Sequence, residues 1–302
     1  MKRNLLKRIL AKYDLFLLLV IPLAWYVVFK YIPMYGLQIA FRRFNPSLGI
    51  AASPWVGMKY FNQFFNSYYF WQIIYNTLSL SVYQLAIGFP IPIFLALLIN
   101  EIQGNRLKKT LQNITYIPHF LSVVVVVSML NLFSNVDYGI FNRFLALFGL
   151  PAADYMAKAQ YFQTLFVFSN VWQSMGFNSI IYIAALSAID SSLYEAATID
   201  GCSRFQKIIN ISLPCLLPTI LILFIMRMGS LMEVGFEKVL LMQNPINMSS
   251  SEIISTFIYK NGIQQGQFSY SAAVGLFNSL INFSLLVFAN SMVKKFTKTG
   301  LW

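Results

Sequence analysis

Ile73-Ile-Tyr-Asn-Thr-Leu-Ser-Leu-Ser-Val-Tyr-Gln-Leu-Ala-Ile-Gly-Phe-Pro-Ile-Pro-Ile-Phe-Leu-Ala-Leu-Leu-Ile-Asn100 runs for 28 residues without one Asp, Glu, Lys or Arg. A helix rises about 1.5 Å per residue, so about 20 apolar residues cross the hydrocarbon of a bilayer. This stretch is long enough, and a soluble domain would have interrupted it with charge every turn or two. Three more windows outward from it, 111–136, 159–189 and 261–293, are equally free of charge. Two less clean ones, 15–34 and 216–235, carry ionisable residues near one end. Of the 302 residues 58% are apolar and 11% charged, too little polar surface to clothe a soluble globule of this size. The expected fold is therefore an all-α integral membrane bundle of six transmembrane helices. The first window runs through Pro22, Trp25 and Tyr26 to Lys30 with no small-residue cleavage site, so it reads as a retained span.

A formal net charge of +12 raises the question of nucleic acid. Once the spans are drawn, 13 of the 22 basic residues fall on the side of the N-terminus, among them Arg106, Lys108, Lys109, Arg204 and Lys207. The positive-inside rule then places both termini in the cytoplasm of a multi-pass cell-membrane protein, and no nucleic-acid partner is needed. The expected organisation is a cytoplasmic amphipathic segment at 1–13, a six-helix membrane domain at 14–293 and a cytoplasmic tail at 294–302. Cys202 and Cys215 fall on the reducing side without metal-site spacing.

Inside the spans, polar residues mark candidate sites. Asn170, Gln173, Ser174 and Asn178 recur at helical spacing in the fourth span. Asn278 and Asn282 do so in the sixth, and Asn131 stands in the third. Amides in a bilayer either hold helices together or, with Tyr83, Trp172 and Tyr182 nearby, meet the hydroxyls and apolar faces of a sugar. Gly88, Pro90 and Pro92 should kink or break the second span. Arg227 and Glu233 are costly in lipid and should face protein or water; they pair structurally or, in the alternative reading, relay protons in a proton-coupled secondary transporter of a polar solute. His119, the sole histidine, reads as interfacial. No nucleophile and base stand at a plausible spacing, and no Gly-x-x-x-x-Gly-Lys-Ser/Thr loop is present to hold ATP.

The most informative segment lies between the fourth and fifth spans, at 190–214: Asp190-Ser-Ser-Leu-Tyr-Glu-Ala-Ala-Thr-Ile-Asp-Gly-Cys-Ser-Arg-Phe-Gln-Lys-Ile-Ile-Asn-Ile-Ser-Leu-Pro214. Ser192 and Glu195 have capping-box spacing, Gly201 permits a sharp turn, and 204–210 can form a second short helix closed by Pro214. Ala196 and Ala197 supply a small face beside an acidic one, suited to docking in a groove. From the residues alone, a re-entrant amphipathic loop is an equal alternative.

The spacing resembles the EAA loop of ABC importer permeases: Glu195-Ala196-Ala197, three residues, Gly201, nine residues, Ile211-Ser-Leu213-Pro214. Val234-Gly-Phe-Glu237, Tyr270-Ser-Ala-Ala-Val-Gly-Leu-Phe277 and the closing Gly300-Leu-Trp302 resemble the maltose-transporter-type carbohydrate permeases, within them the lipoprotein-associated polysaccharide subgroup. Ser191 and Cys202 depart from that subgroup's usual proline and alanine. The resemblance implies an ABC type I importer permease fold with cytoplasmic coupling helices. It implies that Glu195, Ala196, Ala197, Asp200, Gly201, Leu213 and Pro214 couple to an ATPase. It further implies a second permease subunit of related sequence, two ABC ATPase subunits that hold ATP and Mg in place of any cofactor here, an extracytoplasmic sugar-binding lipoprotein, and an oligosaccharide substrate.

Overall fold

The computed structural model of the chain describes residues 12–102, 104–149, 151–297, 300 and 301. Residues 1–11 of the amphipathic segment expected at 1–13, and 298, 299 and 302 of the C-terminal tail, lie outside them. The described chain is helical, joined by turns and a single antiparallel bridge between Arg42 and Trp55. Four helical runs are long and apolar enough to cross a bilayer: Tyr13–Phe41, Phe70–Asn100, Arg204–Met228 and Phe268–Lys295. Two bent pairs pass together, Asn105–Phe120 with Val123–Ser134 and Ala159–Ser187 with Ser191–Ile199, so up to six spans are present.

Contacts divide the described residues into two compact units. One takes in those up to Ser67 together with Ile258–Leu276. Its small core joins Ala40 and Phe61 to Ala273, and Ser269 Oγ accepts the backbone N–H of Phe44 at 2.9 Å. The helix Tyr13–Tyr26 in this unit buries none of its residues. A uniformly apolar helix without a protein partner is stable only where lipid or another chain covers it.

The other unit takes in Tyr68–Phe257 and the described residues from Phe277 onward. It has two cores. In one, Leu80, Val127, Phe162, Phe166 and Val171 pack with Val239 and Met242. In the other, Ala96, Ile99, Tyr182, Leu186 and Leu216 meet. Polar side chains tie the loops to these helices. Asn76 Nδ2 donates to the carbonyls of Ser249 and Glu252 at 2.9 and 3.0 Å, and Thr77 Oγ1 accepts from Ile254 N at 3.0 Å. Backbone groups freed where the 248–254 segment leaves helical geometry are thus satisfied away from water, where an unmade bond is costly.

Several local expectations change. The second span is interrupted only at Phe89, between Phe70–Gly88 and Pro90–Asn100, because the prolines occupy the first turn of the new helix where no N–H is needed. The third span is not continuous over 111–136. Asn105–Tyr116 passes through a tighter turn at Ile117–Phe120, the chain extends at Leu121, and Val123–Ser134 departs at 95°. Pro118 removes a donor there, and Ser122 starts the new helix by accepting the N–H of Val125 at 3.3 Å.

In the 190–214 segment, Ser192 and Glu195 do not form the expected capping box. The helix is Ser191–Ile199, and the Asp190 carboxylate caps it by accepting the Ser192 N–H at 3.0 Å. The carboxylate sits on the residue with extended backbone geometry just before the first turn, so it reaches the free donor ahead of the serine. The reciprocal box forms one helix later, between Ser203 and Gln206, at the start of Arg204–Lys207. Pro214 does not close that second helix. A wider turn at Ile208–Ser212 carries it into Leu213–Met228, with Pro214 in the first turn, so the fifth span begins at Arg204.

Candidate functional site: a helical staple and an intramembrane cavity

Two places concentrate the sequence-marked residues. The first is the 190–214 segment. Hydrogen bonds from Gly201 N to the Thr198 carbonyl (3.1 Å) and from Cys202 N to the Ala197 carbonyl (2.9 Å) close the helix Ser191–Ile199. Gly201 takes φ +74° at this turn, a left-handed conformation that favours glycine. Two side-chain bonds then staple the helix to the start of the fifth span. Tyr194 Oη and Ser212 Oγ stand 2.9 Å apart, and Lys207 Nζ donates to Thr198 Oγ1 at 2.8 Å. Hydrogen bonds from the Ser192 backbone hold the Asp190 carboxyl below the usual carboxylate range.

The rest of the segment faces outward. Glu195, Ala196, Asp200, Leu213 and Pro214 are exposed, Ala197 is half-buried, and Ile199 and Phe205 are 87% and 70% exposed. Cys202 and Cys215 are free thiols.

The second place is a cavity of about 590 Å³ in the unit that holds Tyr68–Phe257. Asn170, Ser174 and Asn178 line it from one face of Ala159–Ser187, Gln84 and Phe89 from the second span, and Arg227 from the last turn of Leu213–Met228. Phe177 and Tyr182 add rings to the wall. Gln84 is buried and its Oε1 has no hydrogen-bond partner. His119 stacks on Phe177 at 3.9 Å between ring centroids and 3° between planes, which backs the cavity wall with a second ring.

The other marked residues go elsewhere. Gln173, on the same helix as the stripe, donates through Nε2 to the Leu121 carbonyl at 2.9 Å and so holds the break in the third span. Asn282 Oδ1 accepts the Met232 N–H at 3.0 Å, where the chain has left the fifth span. Asn278 is buried with Oδ1 unpaired and does not line the cavity. Asn131 is exposed, and Tyr83 packs against the core around Leu80 and Phe166. Trp172 lines a separate, apolar cavity of about 370 Å³ with Phe168 and Phe133. Glu233 is exposed beyond the end of the helix; Arg227 feels its charge, but no contact ion pair joins them among the described residues.

Sequence reasoning passed over Gln84, Phe89 and Phe177. The signal for Gln84 was its position one helical turn before Gly88, a polar residue beside the glycine where helices approach. Lys238 was also missed: only 4% exposed, it has no hydrogen-bond partner for Nζ, which lies 5.7 Å over the Phe166 ring. Burial pushes its pKa down to about 8.

Residues 74–298 match the family described as binding-protein-dependent transport system inner membrane component. Over 301 residues the chain is 41% identical to the polygalacturonan/rhamnogalacturonan transport system permease protein YteP of Bacillus subtilis (strain 168), covering 100% of this chain and 94% of that one. Protein LplB of the same organism is 40% identical over 288 residues, covering 95% and 91%. The fold is similar to that in the crystal structure of a bacterial ABC transporter involved in the import of the acidic polysaccharide alginate, with TM-score 0.88, 37% identity and coverage of 97% and 99%. The proton-coupled alternative falls away with this membership, since the family's energy comes from a separate ATPase. The chain belongs to the binding-protein-dependent inner-membrane components: it is a non-catalytic, multi-pass permease subunit of an ABC-type carbohydrate importer that works as part of a multi-subunit system.

Proposed function

We propose that this chain forms one half of a heterodimeric pore for oligosaccharides or polysaccharide fragments and receives its power stroke through the 190–214 segment. The observation that carries the reading is the stapled helix Ser191–Ile199, which presents Glu195, Ala196 and the apolar Ile199 outward while Tyr194 and Thr198 are tied to the start of the fifth span. An exposed apolar residue on a rigid, acidic, small-faced helix favours docking in a protein groove. A rigid tie to the span lets movement of the docked partner reach the bundle.

In this reading Glu195 supplies the polar contact to the ATPase, Ala196 and Ala197 permit close approach, and Asp200, Gly201, Leu213 and Pro214 shape the turn and the entry to the span. Two ATPases hold ATP and Mg, and a related permease chain completes the pore. An extracytoplasmic sugar-binding lipoprotein delivers the substrate. Both termini are cytoplasmic, with the membrane domain at 14–293 between the 1–13 segment and the 294–302 tail. The cavity lined by Asn170, Ser174, Asn178 and Gln84 is the substrate path, with amides for sugar hydroxyls and rings for sugar faces. The carbohydrate class is supported by relatives named for polygalacturonan/rhamnogalacturonan and alginate transport.

Glu195→Lys tests the coupling role. The variant should reach the membrane at normal level, lose ATPase co-purification, and slow uptake by at least about tenfold, the cost of placing a like or unpaired charge in a docking contact. Wild-type uptake with Glu195→Lys and Gly201→Asp combined would sink the assignment.

A further inference from the structure

Amides and rings suffice for a neutral sugar, yet the cavity wall also carries a guanidinium. Among the described residues Arg227 is the one cation in the lining, and no described Asp or Glu lines the cavity with it. A cation inside a helical bundle is costly unless paired, and Arg227 has no contact ion pair among the described residues. Glu233 is exposed and outside the lining. Gln84 belongs to the same lining; it is buried, and its Oε1 has no hydrogen-bond partner. Asn170 and Asn178 line the same cavity, with Phe89 and Phe177 supplying apolar faces.

Resting on the reading of this cavity as the substrate path, we propose that it takes a carboxylated oligosaccharide, one built of uronic acid units, whose carboxylate is bound by Arg227. The planar guanidinium offers parallel N–H donors that match a carboxylate in fork geometry, which a lysine ammonium does not. The side-chain amides of Asn170 and Asn178, in the same lining, bind hydroxyls of the same or the next unit. An arginine here also repels cationic sugars and leaves its own charge unmatched when a neutral one enters, so it selects as well as binds.

The test uses the complete transporter, reconstituted in vesicles with its ATPases and binding protein, and a galacturonate oligomer either as free acid or fully methyl-esterified. Arg227→Gln should slow uptake of the free acid by at least about tenfold, the worth of a charge-assisted hydrogen bond, and of the ester by less than about twofold. Arg227→Lys should fall between Arg227→Gln and wild type on the free acid. Both variants should assemble with the partner subunits to the wild-type level.

An equal effect of Arg227→Gln on both forms, or no effect on either, would overturn the assignment. If the binding protein admits only the free acid, equal loss in Arg227→Gln and Arg227→Lys overturns it as well. Uptake of neutral oligosaccharides with refusal of the acid removes the carboxylate role and leaves the importer reading standing. Failure to take up any saccharide with ATP hydrolysis intact would bring down both.

Discussion

Substitution at Gly201 separates backbone conformation from side-chain volume in the coupling segment. At φ +74° an ideal Cβ on this residue would find nothing within 4 Å, so alanine meets no clash inside the chain. Its only intrinsic cost is the left-handed conformation, about 1–2 kcal/mol. Asparagine pays less because its side chain bonds locally in that region, and valine costs more because of its β-branch. A loss of about 1–2 kcal/mol lowers the population of the closed turn relative to an opened one by about five- to thirtyfold. The bonds released are those from Gly201 N to Thr198 and from Cys202 N to Ala197, so the helix Ser191–Ile199 frays toward Glu195. Amide exchange at 201 and 202 in the assembled transporter, read beside the ratio of substrate moved to ATP hydrolysed, should rank the variants as Gly, Asn, Ala, Val. Wild-type exchange in the alanine and valine variants would refute the conformational argument. So would an asparagine variant as damaged as valine, because volume against a docked partner would then be what matters.

Two further perturbations probe the bundle. A Cβ at Gly176 would run into the Thr115 carbonyl, main chain that cannot swing aside, so Gly176→Ala should lower stability by about 1–3 kcal/mol through overpacking, seen as a lower melting temperature in detergent; an unchanged melting temperature would mean that the Asn105–Tyr116 helix shifts freely. Lys238 is buried with its pKa depressed to about 8, so the folded state carries a penalty for its charge below that pH, relieved as pH rises from about 8 toward the lysine's ordinary value. Wild-type melting temperature should therefore climb over that alkaline range, whereas Lys238→Met should be more stable at pH 7 and flatter with pH; identical curves would show that the ammonium is hydrated.

Membership of the membrane bundle was legible because crossing a bilayer is a matter of local composition. Each span is judged by its own residues against lipid, and the charge-free windows around 73–100 and 261–293 needed no knowledge of neighbours. The turn at Gly201 was legible for a similar reason, since its conformation is set by bonds reaching only to Thr198 and Ala197. The stripe on the fourth span was visible as a stripe, yet its members part company. Asn170, Ser174 and Asn178 line the cavity, whereas Gln173 turns to the Leu121 carbonyl, 52 residues away in the chain. That bond could not be foreseen because the acceptor exists only once the third span has broken at Leu121. The break itself, at Ile117-Pro-His-Phe-Leu-Ser122, lies inside a charge-free window that passes for one span by average hydropathy. Composition is an average over a window, but a hydrogen bond or a buried charge depends on which two surfaces meet. Thus the sequence alone determined an all-α membrane bundle of up to six spans with a glycine turn between the fourth and fifth. Only packing decided that Gln173 bonds the Leu121 carbonyl, that Lys238 lies over Phe166, and that Arg227 stands on a cavity wall.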